Sequence, residues 1–128
     1  MKALRYALLA AVALAAPAIQ PARAQMDPGW EPKREAELQA LDKVTARITI
    51  LKAPLNETIS FGTLRITVRA CNARPPEEVP DAAAWLQVND ARHDSNGRPV
   101  FQGWMFANAP GVAMLEHPVY DLRVLECR

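Results

Sequence analysis

Thr63-Leu64-Arg65-Ile66-Thr67-Val68-Arg69-Ala70-Cys71 alternates polar and apolar side chains almost without a break. A period of two is the mark of a half-buried strand, because successive side chains of an extended backbone point to opposite faces. One face here carries Leu64, Ile66, Val68 and Ala70, and the other carries threonine and arginine. Upstream, Val44, Ala46, Ile48 and Ile50 alternate with Thr45, Arg47 and Thr49 in the same way, which predicts a second strand with its apolar set facing a core. Ile59 and Phe61 mark a short strand between the two.

Downstream, Arg74-Pro75-Pro76-Glu77-Glu78-Val79-Pro80 cannot make a strand ladder, since three prolines remove donors and hold their predecessors extended. A stiff exposed loop follows from that. Residues 83–88 and 100–106 read as two strands joined through Asp94-Ser95-Asn96-Gly97, where Asn-Gly supplies the positive dihedrals of a hairpin turn. Residues 119–127 form a last strand, and residues 112–116 suit one helical turn. Residues 33–43 hold Glu35, Ala36, Leu38, Ala40 and Leu41, helix formers with two leucines three apart, which predicts one short amphipathic helix. The sum is an all-β domain, a small disulfide-linked β-sandwich or barrel with one short N-terminal helix. Its 128 residues allow one core, not two.

The first 24 residues follow another logic. Lys2 and Arg5 precede the apolar run from Tyr6 to Ala16, and Ala22-Arg23-Ala24 is a small-x-small pattern, so residues 1–24 read as a secretory signal peptide cleaved after Ala24. The apolar run is shorter than the roughly 20 residues a membrane-spanning helix needs. Residues 25–34, with Asp27-Pro28-Gly29 and Glu31-Pro32, form a flexible lead-in, and residues 35–128 the single β-domain. Cleavage removes Lys2, Arg5 and Arg23 and no acid, turning 15 basic against 14 acidic residues into 12 against 14. A nearly neutral exported chain without a basic stripe lacks the electrostatic footprint of a nucleic-acid binder. The expected location is the periplasm, with no transmembrane segment in the mature chain.

Cys71 and Cys127 are the only cysteines. An even pair in an oxidising compartment tends to close, which predicts one disulfide; a reactive thiol or half of a metal site is the competing reading, but neither has a Cys or His neighbour at ligand spacing.

Catalytic signatures are sparse. Ser60 and Ser95, the serines after the leader, sit in no nucleophile-elbow setting, and His93 and His117 lack zinc-binding spacing. Asp94-x-Asn96-Gly97 is a fragment of a calcium loop without its bidentate acid, and Glu77, Glu78 and Asp81 lie in the proline-stiffened loop. No motif calls for a cofactor or metal. Trp104, Met105, His117, Tyr120 and Asp121 combine aromatic area with polar tips, the mixture recognition sites use, although Trp104 and Phe106, two apart on one strand face, also suit a core. If the strands over 44–51 and 63–70 share a sheet, Arg47, Arg65 and Arg69 form an anion-binding face.

Leu41-Asp42-Lys43-Val44-Thr45-Ala46, Phe61-Gly62-Thr63-Leu64, Val68-Arg69-Ala70-Cys71, Arg74-Pro75-Pro76, Gly103-Trp104-Met105-Phe106 and Glu116-His117-Pro118-Val119-Tyr120-Asp121 occur in that order. The chain resembles the DUF2155 family of exported alphaproteobacterial proteins over roughly residues 38–127. The resemblance implies an envelope location and the pairing of the two cysteines, and carries no mechanism. The expected function is an exported, non-catalytic envelope domain that binds or stabilises a periplasmic protein or a cell-wall glycan. The alternatives are a periplasmic hydrolase using His117 with Asp121 or Glu116, and an inhibitor presenting the 72–82 loop.

Overall fold

The structure is a computed structural model and describes residues 29–92 and 96–128. The leader over 1–24, residues 25–28 of the lead-in and His93, Asp94 and Ser95 lie outside the described residues; the rest of the lead-in includes β1, paired with β5. Among the described residues eight strands occur, in the order β1 (Glu31–Pro32), β2 (Glu35–Asp42), β3 (Arg47–Pro54), β4 (Thr58–Phe61), β5 (Leu64–Ala73), β6 (Ala82–Asp90), β7 (Phe101–Phe106) and β8 (Tyr120–Cys127). They form two antiparallel sheets. In the larger, the order is β1-β5-β6-β7, with β4 also paired to β5; in the smaller it is β3-β2-β8. Leu38 of the smaller sheet and Leu64, Ile66, Val68, Leu86 and Val88 of the larger fill one shared core.

The helix expected over 33–43 is instead strand β2. Ala36, Leu38 and Ala40 are fully buried while their neighbours are not, a period of two hidden by the helix propensity of alanine, leucine and glutamate. Pairing on both edges, with β3 and β8, outweighs that local preference. Residues 112–116 carry no helical turn either; a turn closed by Val112 N–H to the Ala109 carbonyl (3.1 Å) precedes them, and Leu115 drops into the core.

β3 is a strand with its faces reversed from the sequence expectation. Val44, Thr45 and Ala46 belong to the β2–β3 turn, where Asp42 Oδ1 accepts the Val44 and Thr45 N–H groups and Ala46 has φ 58°. Leu51 pairs with Leu38 and Ala53 with Ala36, so the odd-numbered positions face inward. Ile48 and Ile50 therefore point to solvent, 60% and 50% exposed. Alternation identifies a strand but not which side the second sheet covers, and here the end of the strand decides. Ile48→Thr is expected to change stability by less than about 0.5 kcal/mol in urea denaturation, as for other exposed positions.

The Asn96-Gly97 turn is as expected, with φ 57° and 75°. The proline-rich loop runs from Arg74 to Asp81 and is closed by Arg74 N–H to the Asp81 carbonyl (3.1 Å); Pro76 to Pro80 are exposed.

The disulfide joins Cys71 of β5 to Cys127 of β8, with Cα atoms 5.6 Å apart. Strict alternation after Leu64, Ile66 and Val68 would turn Cys71 outward. A bulge between Val68 and Ala70 inserts one residue and brings it into the core. A second irregularity, opposite Glu37 and Leu38, does the same for Cys127, since Leu122 and Val124 alone would place Glu126 inward. Each sulfur reaches the bond through its own break in strand register.

Candidate functional site

Several of the stretches singled out in the sequence meet at one corner of the fold. The Asp42 turn sends Lys43 toward β8, where its N–H bonds to the Val119 carbonyl (2.8 Å) and its Nζ donates to the His117 carbonyl. His117, buried just before β8, accepts the Val119 and Tyr120 N–H groups at Nδ1 (3.0 and 3.1 Å). An Nδ1 that accepts two amide protons carries none itself, so the ring proton sits on Nε2 and is donated to Asp90 Oδ2 at 2.7 Å. Asp90 ends β6 and is also buried.

Burial alone would raise the Asp90 pKa. The His117 Nε2–H, the Arg92 N–H (2.9 Å) and the Thr63 hydroxyl all bond to the carboxylate, and together they outweigh burial and lower the pKa from 3.8 to about 2. Because the folded value lies below the unfolded one, the stabilisation is complete above about pH 4 and is lost as pH falls toward 2; a shift of this size corresponds to about 2 kcal/mol. Asp90→Asn is expected to lose most of that at pH 7. In urea titrations at pH 7, 4 and 2.5 the gap between wild type and variant should narrow steadily. A constant gap would show that the carboxylate charge is not what stabilises the corner.

Tyr120 closes the corner. Its ring lies edge-on to Phe61 (centroids 5.4 Å) and tilted against His117 (5.1 Å), directly over Gly62 of the β4–β5 turn. Around this ring Gly62, Thr63, Arg92, Pro118 and Tyr120, with the His117–Asp90 pair, line a cleft of about 250 Å³. A general base must have a nitrogen able to take a proton from a substrate, and both nitrogens of His117 are engaged by the fold. The pair acts as a strut between β6 and β8.

The pairing of His117 with Asp121 or Glu116 is thus corrected: the carboxylate partner is Asp90. Asp121 lies on the outer face of the smaller sheet, opposite Leu41, and its Oδ1 accepts the Leu122 N–H (2.9 Å); Glu116 is exposed. Met105 is core. Trp104 is not core but 40% exposed on the outer face of β7, beside Trp85 of β6, and does not line the cleft with His117 and Tyr120.

The proposed arginine face also divides. Arg47 lies in β3 and Arg65 and Arg69 in β5, which belong to different sheets, so the three do not form one surface. Arg65 and Arg69 are both exposed; Arg65 donates to the Leu64 carbonyl and Arg69 to Asn56 Oδ1, each at 3.2 Å. Among the described residues no group of three His, Cys, Asp or Glu side chains is placed to hold a metal ion. Sequence reading missed Asp90, whose partner is 27 positions away. It also missed Trp85, whose outward placement was readable from its alternation with Ala84, Leu86 and Val88.

The family model described as an uncharacterized protein conserved in bacteria (DUF2155) matches residues 36–127. The chain is similar to the uncharacterized protein RP359 of Rickettsia prowazekii (strain Madrid E), 25% identical over 88 residues that cover 69% of this chain and 57% of that protein. The match thus spans little more than half of the relative's length. No solved structure matches the chain significantly.

Proposed function

We propose that this chain, which belongs to the DUF2155 family, is an exported, non-catalytic envelope domain that binds a periplasmic protein or cell-wall component. In this reading residues 1–24 are a leader removed after Ala24, the two sheets pack as a β-sandwich, and the outer face of the larger sheet does the binding. The observation that carries it is Trp104. A rigid strand holds this large aromatic side chain 40% exposed next to Trp85, where it adds apolar area to the surface without filling the core. Exposed tryptophans on rigid elements are characteristic anchors of recognition surfaces. The locked hydrogen bonds of His117 support the non-catalytic half of the reading.

A photo-crosslinking amino acid at position 104, introduced in cells, tests this. It should capture a discrete envelope component that the same group at exposed position 48 does not, and the protein recovered should begin at Gln25. Identical capture patterns from both positions, or a cytoplasmic uncleaved product, would refute it.

A further inference from the structure

The two sheets present solvent faces of contrasting chemistry. On the smaller sheet, Ile48 and Ile50 lie exposed beside Leu41. The outer face of the larger sheet has a different composition. Register places Trp104, Trp85 and Ala70 in one row across β7, β6 and β5, Gln102, Gln87 and Thr67 in the next, and Asn89 and Arg65 in a third, with Phe106 opposite Ala83 on the other side of the tryptophans. No leucine, isoleucine, valine or methionine belongs to these rows, and their one ionisable member is a cation.

We infer that this face binds an acidic polysaccharide, with sugar rings stacked on Trp104 and Trp85, hydroxyls bonded by the carboxamides, and a ring carboxylate held by Arg65. The inference rests on the binding role proposed above and names its ligand class. Each component matches one chemical need. The C–H face of a pyranose is apolar and flat, and indole offers a flat apolar partner with a negative π-surface. Sugar hydroxyls both donate and accept, as do the side chains of Gln87, Gln102 and Asn89. Arg65 has five N–H donors in a fixed fork, of which the Leu64 carbonyl engages Nη1, and guanidinium is suited to a carboxylate. Same-face neighbours lie about 5 Å apart across strands and about 7 Å apart along them, so an extended oligosaccharide can touch successive rows. The buried centres of protein interfaces are more apolar than this face, which sets two glutamines, an asparagine and an arginine beside its tryptophans.

The probe is oligogalacturonate, with its methyl ester as a neutral ligand on the same backbone. In calorimetric titration the acid form should bind the protein, esterification should weaken binding at least tenfold, and Trp104→Ala and Arg65→Gln should each weaken it at least tenfold with unchanged melting temperatures. In NMR spectra the indole N–H signals of Trp85 and Trp104 should move on titration and that of Trp30 should not. No binding, or binding unaffected by these substitutions or by esterification, overturns the glycan assignment. Crosslinking from position 104 to a protein alone would overturn it while leaving the binding role intact, and non-selective crosslinking would remove both.

Discussion

Replacing both cysteines, as Cys71→Ala/Cys127→Ala, is expected to lower the unfolding free energy by about 4 kcal/mol, the loop-closure value for a bridge spanning 56 positions. For a domain of this size that is on the order of 20 °C in melting temperature. Wild-type protein melted with reductant should behave like the double variant, and alkylation of oxidised, denatured protein should find no free thiol. The effect is large because the chain without the bridge regains the freedom of a long loop, and the bond itself lies buried between the two sheets, β5 to β8. It also holds both register irregularities in place, so its loss should expose β8 to hydrogen exchange before β5 and β6. Loss of less than about 1 kcal/mol would show that packing alone fixes the two bulges.

Gly62→Ala is the second large effect, at about 3 kcal/mol. Gly62 has φ 55°, in the left-handed region that costs an L-residue roughly 1 kcal/mol. A Cβ there would lie 2.1 Å from Tyr120 Oη and 2.5 Å from the ring carbon bearing it. Were the tyrosine free to swing, the clash would be cheap. It is held between Phe61 and His117, and His117 in turn is fixed by Asp90 and two backbone amides, so relief must displace the corner. Overpacking of that kind adds roughly 1–3 kcal/mol. A double-mutant cycle separates the two contributions: in a Tyr120→Ala background the cost of Gly62→Ala should fall to about 1 kcal/mol, the backbone part alone. An unchanged cost would mean the ring plays no part.

The parts of this fold that were readable from sequence are those in which local pattern and tertiary environment agree. β5 alternates cleanly and lies in the centre of its sheet. The Asn96-Gly97 turn follows from the dihedrals the two residues favour. β2 reads as a helix because its inward set includes two alanines, too small to signal burial beside strong helix formers, and only pairing on both edges reveals the strand. The alternation of β3 shows a strand but points to the opposite face from the one the core covers, since what covers a strand is decided by a segment remote in sequence. For the site, Trp104 and Tyr120 were legible as aromatic residues with polar tips. The bond from His117 to Asp90 was not, because it joins the end of β6 to the start of β8, and no periodicity encodes such a meeting.

β2 is the first long strand of the domain, and one of its two partners, β8, is the last. A chain that emerges from a ribosome or a channel N-terminus first must therefore carry one edge of β2 unpaired while roughly 80 further residues follow, about 4–16 s at ordinary rates of synthesis. During that interval the β2–β3 hairpin offers an open strand edge to any other nascent chain nearby. Holdase chaperones would have their greatest effect on yield at this stage, before the final strand arrives.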